Sequence, residues 1–334
     1  MKNIIEELKK ANLVGRGGAE YPTAVKWESV KRAKGKPKYV VCNASEGELG
    51  IFKDFFILDQ FPGHVFEGMR LAMDYLGAKE AWFNLNANYY KKLKVKLDAL
   101  VKKYGKKGYR FRIYKEHPSY IGGEETALLE GMEGHAVKPR LKPPYPGEKG
   151  LFGQPTLINN VETFYDVAEV MAGNYAKKRF YSFSGHIKHA GVFHLPIGIS
   201  LHEALRQTDN LPDFDFFVQA GGSASGIVFR KDQLKTNKMA GAGSIEIYPA
   251  ALKPRDLLLK WFKFYANESC GKCTPCREGT FHLYELVKAH DRVPWGQILE
   301  IVETMEKTSF CGLGRSIGLP VKSYMQNILK LNLR

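Results

Sequence analysis

The stretch Glu268-Ser269-Cys270-Gly271-Lys272-Cys273-Thr274-Pro275-Cys276 sets three thiols in a Cys-x2-Cys-x2-Cys run, and a fourth, Cys311, follows after 34 intervening residues. Three thiolates at that spacing can meet one face of a cubane cluster, with the fourth ligand returning from a distant element, as a [4Fe–4S] centre needs. Zinc also accepts four thiolates, but more often from two Cys-x2-Cys knuckles. Spacing alone leaves three readings open: an iron–sulfur cluster, zinc, or free thiols. The fifth cysteine, Cys42, ends an apolar run and reads as a buried thiol.

A length of 334 residues permits two or three domains. No run of about 18 apolar residues occurs, which argues against a membrane span, and Glu6 and Glu7 come too early for a signal peptide. Five cysteines are too few for a disulfide scaffold and suit a reducing compartment. The net charge of +15 favours acidic partners, and residues 91–112 hold much of it. An acidic redox protein, nucleic acid and a merely solubilising surface all fit that charge. No recognition helix or aromatic–basic motif supports nucleic acid.

Ile4, Ile5, Leu8 and Leu13 suit a helix leading into Val14-Gly15-Arg16-Gly17-Gly18-Ala19. These glycines allow unusual dihedrals and can bare amides to a phosphate, or they form a plain turn. Residues 38–43 read as a strand emptying into Ala44-Ser45-Glu46-Gly47, with Asn43 and Glu46 where α/β proteins place ligand contacts. A helix over 64–76, a strand over 81–85, a lysine-laced helix over 89–104 and a strand over 109–114 continue a βα alternation, so a three-layer α/β domain is expected. Tyr120-Ile121-Gly122-Gly123-Glu124-Glu125 puts two glycines and two acids at a helix start, as dipole-favouring acids or as ligand contacts. Residues 139–155 form a proline- and glycine-rich loop of fixed geometry, and Asn159-Asn160-Val161-Glu162-Thr163 opens another helix. From about 178, short strands with one helix at 200–207 indicate a small α+β domain. From about 254 the chain reads as a helical bundle that contains all four clustered cysteines. His186 and His189 lack a carboxylate or thiol companion and read as structural.

In this order the motifs resemble the flavin- and iron–sulfur-containing, NADH-oxidising subunit of respiratory complex I and its relatives in NAD-linked hydrogenases and formate dehydrogenases. The matching stretches include Gly15-Arg16-Gly17-Gly18-Ala19, Lys26-Trp27, Cys42-Asn43-Ala44, Phe52-Lys53-Asp54, Gly123-Glu124-Glu125-Thr126, Asn160-Val161-Glu162-Thr163 and Ser269-Cys270 through Gly279, and they span nearly the whole chain. The resemblance implies a Rossmann-like FMN-binding α/β domain (1–176), a small β-grasp, ubiquitin-like α+β domain (177–253) and a helical bundle (254–334) whose iron–sulfur cluster is a [4Fe–4S] centre on Cys270, Cys273, Cys276 and Cys311. It also implies that the chain starts short of the family's usual N-terminal segment. Gly15, Arg16, Gly17, Gly18 and Lys26 would then hold the FMN phosphate and ribityl chain. Asn43, Ser45, Glu46, Tyr120, Gly123, Glu124, Asn159, Asn160 and Thr163 would line the flavin and nucleotide sites. Glu125 and Glu46 would serve the hydride step, and Leu313 would pack near the flavin. The implied cofactors are FMN, a [4Fe–4S] cluster and NAD(H). The implied partners are other redox subunits: a thioredoxin-like [2Fe–2S] protein, a ferredoxin, or a hydrogenase or formate dehydrogenase module. The implied location is the cytoplasm, with attachment to the inner face of the membrane through partners as the variant.

The departures from the family pattern cluster in the nucleotide pocket. Glu20 stands where the family has glycine, Tyr21 where it stacks a phenylalanine, Ser45 where it has aspartate and Phe55 where it has arginine; Ser29 lies where an adenine-stacking aromatic is expected. The leading expectation is an FMN-dependent NAD(P)H oxidoreductase subunit. The alternatives are a flavin and iron–sulfur protein that trades electrons with a ferredoxin, and a docking paralogue with a structural role, against which the intact cysteines argue.

Overall fold

The computed structural model describes residues 3–239 and 241–331; residues 1–2 and 332–334, which the expected first and last domains include, lie outside the described residues. Internal contacts divide the chain into two units. The first runs to Gly47 and resumes from Phe52 to Arg179; the second takes Glu48–Ile51 and the chain from Phe180 onward.

The first unit opens with α1 (Ile4–Lys10) and α2 (Thr23–Arg32), followed by β1 (Tyr39–Ala44), α3 (Lys53–Gln60), α4 (Pro62–Leu76) and β2 (Glu80–Leu85). After α5 (Ala87–Gly105) and β3 (Arg110–Lys115) come α6 (Glu125–Met132), α7 (Pro146–Lys149), β4 (Thr156–Asn160) and α8 (Val161–Ala172). The four strands form one sheet in the order β3-β2-β1-β4, and every neighbouring pair is parallel. Central strands of such a sheet are covered on both faces and so read as continuous apolar runs. Val40, Val41 and Cys42 in β1 and Ala81 and Phe83 in β2 are all at 0% exposure. Burial pushes the Cys42 thiol well above its ordinary pKa, which keeps it protonated, as its apolar setting requires.

Pro62 at its first turn and left-handed Gly77 after its last bound α4; Asn160, whose side chain accepts from the Glu162 N–H, and left-handed Gly173 bound α8. The two helices pack so closely that a Cβ on Gly68 would stand 1.9 Å from the Phe164 carbonyl oxygen. Gly68→Ala must therefore push α4 off α8. We expect a loss of roughly 2–3 kcal/mol in urea unfolding, whereas Gly63→Ala, with nothing within 4 Å of the added atom, should change little.

The second unit takes β5 (Lys178–Gly185) from Phe180 onward, then β6 (Gly191–Pro196), α9 (Leu201–Gln207), β7 (Phe216–Ala220), β8 (Ile227–Arg230) and β9 (Ser244–Pro249). Its sheet runs β6-β5-β9-β7-β8. Strands β5 and β9 are parallel, while β7 runs antiparallel to both β8 and β9. Leu201 and Leu205 of α9 bury against Tyr181, Phe183, Val218 and Ile247, which makes a mixed α+β layer. Five helices follow: α10 (Pro254–Glu268), α11 (Thr274–Ala289), α12 (Trp295–Thr308), α13 (Gly312–Ser316) and α14 (Gly318–Asn327). The bundle expected from about 254 is thus helical throughout, with the short α13 set apart just before α14. No helix among the described residues is long and apolar enough to cross a membrane.

Candidate functional site

The carboxyl ends of β1, β2 and β4 lie side by side, with Asn43 in register with Asn84 and Asn160. The loops that leave them collect most of the expected ligand residues, at the end of a parallel sheet where ligands bind. The glycine turn is closed by the Gly15 N–H donating to the Tyr21 carbonyl at 2.9 Å. Gly18 takes φ +106°, a conformation that only glycine holds without strain. A Cβ on Gly17 would come 3.6 Å from the Asn160 Cβ, so the turn lies directly on the crown. Helix α2 follows with no side-chain cap on its first turn, which leaves N–H donors and the positive end of its dipole beside the turn.

Lys26, in α2, reaches Glu125 Oε2 at 3.3 Å, and Lys142 reaches Glu124 Oε1 at 2.9 Å and Glu125 Oε1 at 3.4 Å. Two lysines and two glutamates thus alternate along the mouth of the crown, all part-exposed. Glu124 also caps α6 by accepting from the N–H groups of Thr126 and Ala127. Asn43 donates to the Gly123 carbonyl at 2.8 Å and accepts from the Ser45 N–H at 3.2 Å, which ties the β1 loop to the Gly122-Gly123 turn. Tyr120 is held close by Gly47, where a Cβ would lie 2.8 Å from the Tyr120 Cα. Asn159, with its amide oxygen turned toward Trp27, accepts from the indole Nε1 at 2.9 Å.

Beneath the crown lies a buried charge cluster that sequence reasoning did not assemble. Lys53, 2% exposed, pairs with Asp54 at 2.6 Å and with Glu162 at 3.1 Å, and also donates to Asn160 Oδ1 at 3.2 Å. Burial works against its charge, but Asp54, Glu162 and Glu46 outweigh that and raise its pKa. Glu46 is half-buried as a residue, yet its carboxylate is enclosed. It accepts from the N–H groups of Asp54 and Phe55 at the start of α3, and from the Tyr89 hydroxyl at 2.6 Å. Burial, then the neighbouring Asp54, pushes it up to about 8 despite Lys53. Arg16 is buried too: its Nε donates to Asp166 at 2.8 Å and its terminal nitrogen to Tyr175 at 2.7 Å. Its backbone N–H donates to Thr163 Oγ1 at 3.0 Å. The guanidinium therefore anchors the turn to α8. The sequence signal for this layer was thin, because Lys53, Glu162 and Asp166 lie on elements that only the fold brings together.

The departures have a structural setting. Glu20, at φ +50°, is half-exposed and lies 3.7 Å from buried Arg179. Ser45 donates to the buried Glu116 carboxylate at 2.5 Å and accepts from Asn84 at 3.0 Å, so a carboxylate from just past β3 lies against position 45. Phe55 packs on Tyr89 at 5.0 Å, and Ser29 is exposed.

In the second unit the four cysteines converge. Cys270 lies between α10 and α11, Cys273 at the N-cap of α11, Cys276 in its first turn and Cys311 at the N-cap of α13. A Cβ on Gly314 would come 2.4 Å from Ser269 Oγ and 3.1 Å from the Cys276 Cβ, so glycine lets the Cys311 segment close onto the run. The Phe310 N–H points at Cys273 Sγ at 3.5 Å, and Ser269 Oγ lies 3.5 Å from Cys276 Sγ. Burial pushes the Cys276 thiol up to about 11, and the other three cysteines add to the shift. Leu313 is 4% exposed in the same unit, next to this site. A separate trio, Glu130, Glu133 and His135, comes together in the first unit, but Arg140 pairs with both of its carboxylates.

Comparison with known proteins agrees with this geometry. Residues 8–169 match the Nuo51 FMN-binding domain, and residues 256–329 match the NADH-ubiquinone oxidoreductase-F iron-sulfur binding region. An NADH-quinone oxidoreductase subunit of Rhizobium meliloti is 33% identical over 97% of this chain and 86% of its own length. Its counterpart in Aquifex aeolicus is 32% identical over 97% and 84%. The crystal structure of an NAD+-reducing [NiFe]-hydrogenase in its H2-reduced state superposes with a TM-score of 0.90 at 30% identity; it covers 99% of this chain, which spans 62% of that one.

Proposed function

We propose that this chain, which belongs to the family of the FMN- and iron–sulfur-binding subunits of NADH-quinone oxidoreductases, takes an electron pair from a nicotinamide dinucleotide and passes the electrons singly to a [4Fe–4S] cluster of its own. The observation that supports this best is the crown itself: a glycine turn, an uncapped helix start and Lys26 on one side, and the Glu124–Lys142–Glu125 chain on the other, at the carboxyl ends of β1 and β4. The residues present fit FMN. Gly17 leaves room for close backbone approach, and Lys26 is a part-exposed cation held by a single carboxylate that a phosphate can replace.

FMN, when bound, supplies the exchange between two-electron and one-electron chemistry. The chain's residues then have distinct tasks. Gly15, Gly17, Gly18 and Lys26 hold the phosphate end; Arg16 holds the turn through Asp166. Asn43, Ser45, Gly123, Asn159, Asn160 and Thr163 fix the loops around the ring and ribityl chain. Glu124, Glu125, Lys142 and Tyr120 would orient the nucleotide, and Glu46 would set the electrostatics of the flavin site. Cys270, Cys273, Cys276 and Cys311 hold the cluster. The match of residues 256–329 to an iron-sulfur binding region supports a cluster over zinc. The sheet at 177–253 and the helices from 254 onward act as a β-grasp part and a cluster part. The chain works in a multi-subunit complex, with a thioredoxin-like [2Fe–2S] protein, a ferredoxin, or a hydrogenase or formate dehydrogenase module as neighbour. Its place is the cytoplasm or the inner membrane face.

The test is anaerobic bleaching of the flavin by NADH, NADPH or reduced ferredoxin. Bleaching by a nicotinamide supports the proposal; bleaching by ferredoxin alone would replace it with the ferredoxin-linked reading, which the Glu20 carboxylate at the glycine turn favours. Removing that charge with Glu20→Gly should lower the KM for NADH by about 3- to 10-fold without altering iron content, because the carboxylate opposes the dinucleotide phosphates. A KM unchanged by Glu20→Gly would clear this residue of any part in nucleotide binding.

A further inference from the structure

Eleven lysines and arginines between Lys91 and Lys115 stand against the single Asp98, so this stretch alone supplies +10 of the chain's +15. It folds into α5 and the edge strand β3. Helix α5 buries Leu93, Leu97 and Tyr104 against its own unit and turns its lysines outward. On β3, Arg110 and Arg112 are exposed on either side of buried Phe111. Some of these charges are balanced locally: Lys94 by Asp98, Lys96 by Asp59, and both arginines by Glu80. Lys91, Lys102, Lys103 and Lys106 are exposed and form no ion pair among the described residues. Val95, 85% exposed, sits among them and is the most exposed large apolar side chain described.

Guarding a sheet edge takes only one or two charges, and solubility is served by mixed signs. A patch of one sign this dense repels itself and is compensated by an opposite surface. The chemistry of that surface is legible. A helix that lies on a membrane must offer its apolar face to lipid, but the apolar face of α5 is buried in the unit. A nucleic-acid face offers aromatic rings to bases, but Tyr90 lies under Lys115 and Tyr104 under Lys107. Lysines ringing an exposed apolar side chain match a protein interface, with an apolar centre and a charged rim that steers the encounter.

We propose that the exposed face of α5, with the edge of β3, is the docking surface for an acidic one-electron carrier protein. This rests on the chain's role in electron transfer, while the surface itself does not depend on which nicotinamide serves it. The experiment measures binding of an acidic [2Fe–2S] ferredoxin to the oxidised holoprotein by calorimetry, with no nicotinamide present, so that a failure of NADH bleaching and a failure of docking are read separately. The variant carries Lys91→Gln, Lys102→Gln, Lys103→Gln and Lys106→Gln. Its control carries Lys34→Gln, Lys36→Gln, Lys235→Gln and Lys263→Gln, which remove the same charge elsewhere.

The ferredoxin should bind at low salt, weaken at least about tenfold as ionic strength rises to physiological values, and lose at least about tenfold in the α5 variant but no more than about twofold in the control. Absence of ferredoxin binding, equal losses in the two variants, or a tighter α5-dependent association with duplex DNA or phosphatidylserine vesicles than with ferredoxin would overturn the proposal.

Discussion

Cys311→Ser is expected to remove the iron–sulfur centre while leaving the flavin in place. Iron and sulfide content should fall at least about tenfold, since one of four thiolates is lost and the three that remain cannot close the site. The flavin should still bleach with its two-electron donor, but turnover with a one-electron acceptor should collapse. The protein should remain folded by circular dichroism, because Cys311 is only half-buried at the N-cap of α13, and serine caps a helix well. Cys42→Ser is the matched contrast. That thiol is at 0% exposure between strands and far along the chain from the run, so its replacement should cost stability and leave iron content unchanged. Equal iron in the Cys311→Ser and parent proteins would remove Cys311 from the ligand set.

The second large effect is expected at Lys53. Removing its ammonium with Lys53→Met strands Asp54 and Glu162 in an enclosed site, at a cost of about 3–5 kcal/mol. The same cluster predicts how stability varies with pH. Glu46 and Asp166 are both pushed above the ordinary carboxylate range, by burial first and a neighbouring acid second, to about 8 and about 7. Each therefore holds a proton in the folded protein that the unfolded chain has already released. Stability is then fullest at and below the ordinary carboxylate range and falls as pH rises through 7 and 8. Lys53, held above its ordinary value, stays charged across this window and adds no slope. Urea midpoints should drop between about pH 5 and pH 8.5, and Glu46→Gln should flatten the drop. A midpoint that rises over the same interval would show that these carboxylates are ionised in the folded state.

The sites were legible in the sequence to different depths, for physical reasons. Cysteine spacing is a local property, so Cys270, Cys273 and Cys276 announced themselves, and Cys311 needed only to be within reach. The parallel sheet showed through because β1 is buried on both faces and cannot hide its apolar run. Helix α3 did not: Phe55, Phe56, Ile57 and Leu58 are consecutive and give no helical period, and the helix is set by Glu46 capping its first turn from eight residues back. Arg16 stands between glycines, and nothing near it in the chain announces its partners Asp166 and Tyr175, about 150 residues away. Ser45 stands where the family has a carboxylate, and only the fold reveals that its hydroxyl bonds to the distant Glu116. Long-range charge pairing leaves no periodic trace in a sequence, and this is the layer that sequence reasoning missed.

The four residues Glu48–Ile51 belong to the second unit, although the chain on either side of them belongs to the first. Glu48 accepts from both the N–H and the hydroxyl of Ser225, and the Ser223 N–H donates to the Leu49 carbonyl. The polypeptide therefore crosses between units three times, and no single cut yields two intact halves. A fragment starting at Phe180 would lack the piece that satisfies its own serine loop. On the ribosome that loop would emerge with its partner already waiting in the nascent chain. Inheritance follows the same constraint: a gene fusion or split can trade what lies before or after this pair of units, but it must carry both together.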